Sequence, residues 1–390
     1  MTDPFGPAYF ADPHSVFDRL RATAPVYRSD RLRRFVLTGY DDAVAVLHDT
    51  ATYSSAVVPQ VPRRDSDLLA GFTDWSARWL FFLDPPEHAV RRAPVAKALG
   101  PRRIGGSADR IAALARGLLT DLPPHGFDVL ADFAHPLAAR VIADLLCAPG
   151  AETDRFLAHA RAMEHAGIHA RDPDARRDGL AAIAAATAAL RHRVTDGTAL
   201  APVPAALRDA WGADRDLVGA HSLVLLFAGV ETTQNLIANA VHALARQGLW
   251  DRLRADRSLL AGAVEEAARF DPPVLGVLRR ATRDVTLAGV PVPAGAELVV
   301  MVAAANRDPA RFPDPGRLDV RRSPNPHLSF GLGPHYCPGA ALTRVTARTA
   351  LDALLDACPR LRIAEPDLPW RDHDPIVRGL TRLPVHASAG

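Results

Sequence analysis

Lysine is almost missing from this chain: of 46 lysines and arginines, only Lys97 is a lysine. The arginines are scattered rather than blocked, and 44 acidic residues bring the formal net charge to +2. That near-balance excludes a protein organised around nucleic acid. Arginine in place of lysine reads as codon bias towards high GC, although a guanidinium also suits a carboxylate clamp. Cysteine is scarce too. Cys147, Cys337 and Cys358 are widely and irregularly spaced, which excludes a zinc-type pairing, and their odd number argues against a disulfide framework. A reducing cytoplasm is the expected compartment. The N-terminal MTDPFGPAYFADP has neither a basic start nor an apolar core, and no apolar run approaches the length of a membrane span. No membrane association is expected. Internal repeats and low-complexity segments are absent.

What remains is an ordinary globular composition, 48% hydrophobic and 23% charged, in a chain of 390 residues long enough to bury a large core around a cofactor. Helical patterns dominate. One spans 14–23, and a strand-like 34–38 follows. Asp41 reads as the N-cap of a helix over 42–48. Residues 54–83 show no period but carry Phe72, Trp75, Trp79, Phe81 and Phe82, and long aromatic loops suit a substrate-facing cover. From 108 to 200 the chain reads as helices broken near Pro123, Pro149 and Pro173. Within them, 128–146 is amphipathic core, and 153–168 with 178–194 forms an antiparallel pair. Residues 285–287, 290–292 and 297–302, separated by Gly289, Pro293 and Gly295, read as a small antiparallel sheet. The expectation is one domain over 1–390, mainly α with a minor antiparallel β region.

Two stretches carry chemistry. In the first, HLSFGLGPHYCPG over 327–339, Cys337 lies behind glycines and just ahead of a helical run, 340–355. The positive end of a helix and its unpaired N–H groups favour a thiolate. Glycine lets the loop approach the sulfur or a flat ligand, and Pro338 fits a first helical turn. Alone, such a cysteine reads first as a small buried hydrophobe. The second stretch lies in the helical run 217–247. Residues 223–230 are apolar all round, Gly229 interrupts them, and Glu231-Thr-Thr-Gln-Asn235 follows before the pattern resumes. Such a polar knot needs partners or water. Its hydroxyls can also bond back to the helix carbonyls four residues earlier. Gly248 stands where a C-cap would.

Phe330-x-x-Gly333-x-His335-x-Cys337-x-Gly339 resembles the haem-binding loop of the cytochrome P450 family. Ala228-Gly-Val-Glu-Thr232 is similar to that family's distal-helix motif, and Glu266-Ala-Ala-Arg269 to its Glu-x-x-Arg. Leu318-Asp-Val-Arg-Arg322 is similar to the segment that adds an arginine to the last of these. The resemblance covers essentially the whole length.

It implies a haem b between a long distal helix and the proximal cysteine-loop helix, with Cys337 as the iron ligand. Phe330, Gly331, Gly339, Ala228 and Gly229 would line the haem, Gly229 leaving a gap for dioxygen. His88, Arg92, Arg279 and His335 would meet the propionates. Glu231 and Thr232 would relay protons. The paired helices after residue 150 become a lid, and the pocket would take Phe81, Phe82, Leu225, Val274, Leu275, Ile376 and Val377. The implied activity is insertion of one atom of O2 into a small, largely apolar substrate, of the kind made in natural-product tailoring. Electrons would come from a separate ferredoxin and reductase, docking near Arg344 and Arg348. Aryl coupling or desaturation on the same scaffold, and a non-enzymatic haem sensor, are the alternatives.

Overall fold

Asp214 starts the helix around which the other elements pack. Its carboxylate accepts hydrogen bonds from the N–H groups of Asp216 (3.1 Å) and Leu217 (3.0 Å), capping Arg215–Arg246. The computed structural model describes residues 3–57, 78–100, 105–123, 125–147, 150–169, 172–195, 200–212 and 214–388. This 32-residue helix is roughly 48 Å long at 1.5 Å per residue. It ends where Gly248 takes φ +66° and the Leu249 N–H reaches the Leu244 carbonyl at 2.9 Å. Val218, Leu223, Leu226, Leu236, Ile237, Val241 and Leu244 are all buried. Helices His135–Leu146, Pro173–Thr195, Pro202–Trp211, Leu260–Phe270 and Ala340–Ala357 pack around it.

The expected helix pair is present as Ala151–Ile168 and Pro173–Thr195, packed on each other. A Cβ on Gly179 would collide with the Cβ of Ala166, so this close crossing needs glycine there. The 128–146 stretch opens with a π-helical turn, Val129–Ala134, before the α-helix His135–Leu146. Asp128 caps the turn through the N–H groups of Leu130 and Ala131. Among the described residues, no helix is long and apolar enough to cross a membrane.

Two expectations are corrected. Asp41 is not an N-cap: the helix is Tyr40–His48, Gly39 holds the cap position, and the Tyr40 N–H is satisfied from afar by Asp308 Oδ2 at 2.9 Å. Asp41 instead adds negative charge to the first turn. Nor do residues 285–302 form one sheet. Val285–Leu287 and Val290–Val292 make an isolated hairpin, whereas Glu297–Val300 joins a five-stranded sheet. Its strand order is Val26–Ser29, Arg34–Leu37, Glu297–Val300, Val277–Ala281, Tyr53–Ser54. The central pairing, Val36 with Val299, is parallel; the other three pairings are antiparallel. A third sheet joins Gly126–Asp128, Pro384–Ser388 and Arg360–Ile363.

Helix Leu260–Phe270 carries the buried network that orders the approach to the cysteine loop. Arg269 donates from Nε and Nη2 to the two oxygens of Glu266, both at 2.7 Å, and neither side chain is exposed. Arg322 Nε (3.1 Å), the Asp319 N–H (2.8 Å) and Asn325 Nδ2 (3.1 Å) complete the Glu266 shell. Arg269 also donates to the carbonyls of Asn306, Pro315 and Arg317. Asn306 passes the order on, accepting from the Leu328 N–H and donating to Ser329 Oγ, both at 2.7 Å. Every side-chain donor of Arg269 and both oxygens of Glu266 have partners, the condition under which a buried ion pair specifies geometry.

Candidate active site

Gly331 and Gly333 turn the cysteine loop with φ of +72° and +66°, and a Cβ on Gly333 would press on the Leu47 carbonyl. The Cys337 N–H donates to the Phe330 carbonyl at 2.8 Å, closing the loop. Helix Ala340–Ala357 begins with Gly339 as N-cap, so Pro338 precedes the cap and does not occupy the first turn. The backbone N–H groups of Gly339 and Ala340 favour the Cys337 thiolate, as expected of a thiol at a helix start, while the Ala340 N–H itself donates to the Cys337 carbonyl at 3.3 Å. The expected thiolate does not follow from these amides alone. Burial dominates and raises the thiol pKa, with the amides, Arg92 and Arg344 only opposing it. Deprotonation at this position calls for a bound cation, and a coordinating thiol loses its proton outright.

Beside the loop lies a group of basic side chains. Helix Glu87–Ala98 presents His88 and Arg92, one turn apart, while Arg91 pairs with Glu87 and leaves the site. The imidazoles of His88 and His335 stack with centroids 4.0 Å apart, and Ser55 Oγ lies 3.0 Å from His335 Nε2. Burial lowers the pKa of both histidines, that of His335 to about 3. Arg92 donates to the Tyr336 carbonyl. Arg279, on strand Val277–Ala281, is buried; its Nη1 reaches the Leu278 carbonyl at 2.8 Å and its Nε is unpartnered among the described residues. Burial lowers its pKa to about 10, against the charge of Asp84. Its neighbour Arg280 faces outward and pairs with Glu297 at 3.0 Å.

On the long helix, Thr232 Oγ1 donates to the Ala228 carbonyl at 2.5 Å. A Cβ on Gly229 would run into Cδ1 of Ile142, so this glycine admits the neighbouring helix on that side. Glu231 accepts from Arg371 Nη1 at 2.6 Å; burial raises its pKa, helped by Glu164 and Asp374 and opposed by Arg371. Arg371 also donates from Nη2 to Glu164 Oε1 at 2.6 Å. Neither Arg371 nor Glu164 stands out in the sequence. Arg371 sits in the aperiodic PDLPWRDHDP, and Glu164 is one acid on a helix surface.

The pocket residues divide. Leu275 is buried among Phe5, Tyr9, Phe17 and Met301 and belongs to the core, which corrects its assignment as a pocket residue. Val274 bridges Val377, and the Leu275 N–H meets the Ile376 carbonyl at 2.8 Å, so the final turn is pinned beside this stretch. Phe82 stacks on buried Trp79, and Phe81 is 47% exposed. Leu225 is partly buried against the main core. Phe72 and Trp75 lie outside the described residues. The docking pair also divides. Arg344 is committed to Glu265 (2.6 and 2.9 Å), to Tyr336 Oη (2.9 Å) and to the Phe330 face at 4.2 Å; Arg348 is exposed and, of the two, the one without an ion-pair partner among the described residues.

A sequence model of the cytochrome P450 family matches residues 247–362. The monooxygenase PikC of Streptomyces venezuelae is 35% identical, covering 99% of this chain and 93% of its own. The mycinamicin IV hydroxylase/epoxidase of Micromonospora griseorubida is 34% identical over 99% of this chain and its full length. Among solved structures, the tirandamycin C-bound P450 monooxygenase TamI superposes with TM-score 0.87 at 33% identity, covering 98% and 99% of the two chains. P450BioI, solved in complex with a fatty acyl-ligated acyl carrier protein, gives 0.86 at 29%, covering 98% and 100%. Alignment at this identity over nearly the whole length, on the same mainly helical architecture, is decisive: the chain is a member of the cytochrome P450 family.

Proposed function

We propose that this P450 monooxygenase hydroxylates or epoxidises a small, largely apolar natural product, with electrons from a ferredoxin and its reductase. The observation that carries the site assignment is the pairing of two features. On one side is a sulfur at a helix start, favoured as a thiolate by two backbone amides; on the other are buried Arg279, with an unpartnered Nε, and half-buried Arg92, neither with a carboxylate ion-pair partner among the described residues, beside the stacked rings of His88 and His335. Burying a cation without an anion is costly, and a haem brings two propionates. The same sulfur has no His, Cys, Asp or Glu gathered round it as co-ligands among the described residues. It therefore suits a metal whose remaining ligands arrive with the prosthetic group. Haem held by a thiolate supplies activation of dioxygen and transfer of one of its atoms to carbon.

The chain's own residues do the rest. Cys337 would hold the iron, and Arg92, Arg279, His88 and His335 would hold and orient the propionates. Phe330, Gly331 and Gly339 would lie on the sulfur side and Ala228 and Gly229 opposite. Thr232 keeps its hydroxyl hydrogen on the Ala228 carbonyl, leaving oxygen lone pairs to accept from a water. Glu231, whose pKa burial raises, is the carboxyl group placed one residue from Thr232 to relay a proton. Apolar side chains at Phe82, Leu225, Val274, Ile376 and Val377 would order the substrate. Arg348 and exposed Tyr336 offer an acidic ferredoxin a surface beside the cysteine loop.

The test is a ligand screen by spin-state change, followed by turnover of each hit under labelled dioxygen. One labelled oxygen atom in the product supports the reading. Product without label would indicate coupling or desaturation and contradict it.

A further inference from the structure

The polar knot of the long helix is used beyond Glu231 and Thr232. Gln234 donates from Nε2 to Glu164 Oε2, and its Oε1 lies 2.7 Å from His135 Nδ1. Glu164 Oε1 takes Arg371 Nη2, and Arg371 Nη1 takes Glu231 Oε1. One guanidinium, 2% exposed, thus holds two carboxylates on two different helices, and both oxygens of Glu164 are occupied. Arg371 is itself fixed by its backbone, whose N–H donates to the Gly379 carbonyl at 3.0 Å. The result is a continuous line, His135–Gln234–Glu164–Arg371–Glu231, across four segments. Glu164 is the lid helix's contribution to it.

We infer that Arg371 is a positioning residue that ties the orientation of Glu231 to the seating of helix Ala151–Ile168 through Glu164. The fork geometry of a guanidinium makes this possible, since its two Nη groups diverge towards two acceptors at once. While Glu164 is in place, Arg371 divides its charge between two carboxylates. When the lid helix withdraws, Glu164 leaves, and Arg371 has only Glu231 to neutralise. Glu231 is then pinned and less able to carry a proton. With the helix seated, around bound substrate, the hold on Glu231 relaxes. The lid position and the proton supply are linked by one residue. This rests on the reading of Glu231 as the relay acid.

The test uses the haem-loaded enzyme with Glu164→Gln, Arg371→Lys, Arg371→Met and Glu231→Gln. Two quantities are measured: product formed per electron consumed, and amide hydrogen exchange over 151–168. Glu164→Gln, which changes a lid-helix side chain outside the haem site, should lower product per electron several-fold. It should also speed exchange in the helix several-fold, with the ferrous carbonyl spectrum intact. Glu231→Gln should alter exchange in the same helix, because it frees Arg371 for Glu164 alone. Arg371→Lys should restore part of what Arg371→Met loses. Full product yield in Glu164→Gln and Arg371→Met, alongside an uncoupled Glu231→Gln, would overturn the inference and leave the relay standing. Full yield in Glu231→Gln would remove the relay. In that case unchanged helix exchange in the same variant would remove the tie as well.

Discussion

The imidazole rings of His88 and His335 lie 4.0 Å apart at 33°, enclosed between the helix of Arg92 and the cysteine loop. Two cations could not be held that close. Burial and the neighbouring arginines keep both rings neutral, with the His335 pKa near 3.

A pH dependence follows. A histidine near pKa 6.5 in the unfolded chain and near 3 in the fold binds more protons unfolded at pH values between the two. Folding stability therefore falls as pH drops below about 6.5, down to about 3. His14 and His221, each lowered to about 4 by burial, act in the same direction. Denaturant unfolding of the apoprotein at pH 7 and pH 5 should show lower stability at pH 5. His335→Gln should recover about 2 kcal/mol of the difference. An unchanged pH slope in that variant would show that His335 is already charged in the fold.

Arg279→Gln should loosen the haem. Its guanidinium is buried with an unpartnered Nε, and a charge-assisted bond to a carboxylate there is worth about 1.5–3 kcal/mol. Haem transfer to apomyoglobin should run at least tenfold faster than in the parent. Arg280→Gln, which breaks only a surface pair with Glu297, should leave the rate unchanged.

Gly229→Ala tests whether that glycine makes room for a helix or for a ligand. Its methyl would meet Ile142 Cδ1, and overpacking of this kind costs about 1–3 kcal/mol. Ile142→Val, by removing that carbon, should restore most of the loss in thermal unfolding. Failure to rescue, together with weakened oxygen binding, would place the need for glycine on the ligand side.

Thr232→Ala should divert electrons from product to hydrogen peroxide. The Thr232 hydroxyl is held on the Ala228 carbonyl, and its removal takes away that oxygen as an acceptor for a water beside Glu231. Peroxide per electron should rise several-fold, with substrate affinity little changed. Unaltered peroxide release would take Thr232 out of the relay.

What could be read from the sequence was short-range. Cys337, its glycines and the following helix sit within a dozen residues, and Glu266 and Arg269 are one helical turn apart, so local pattern sufficed. The long helix announced itself by an apolar run and ended at Gly248 as its cap chemistry required. The features that escaped are contacts between distant segments. Asp308 caps a helix 268 residues earlier, and Val36 pairs in parallel with Val299. Ile142 fills the side of Gly229, and Arg371 joins Glu231 to Glu164. Hydrophobic period says nothing about which partner a lone arginine in an aperiodic segment will find. The burial of the thiol escaped for a related reason: the helix start was visible, but the burial that opposes the thiolate in the absence of a bound cation was not.

The most direct measurement is the ferrous carbonyl spectrum of purified Cys337→Ser beside the parent protein. The parent should show the strongly red-shifted Soret band of a thiolate-bound haem, and the variant should lose it while keeping Cys147 and Cys358. A variant that retained the band would put the iron on another sulfur and contradict the site described around residue 337.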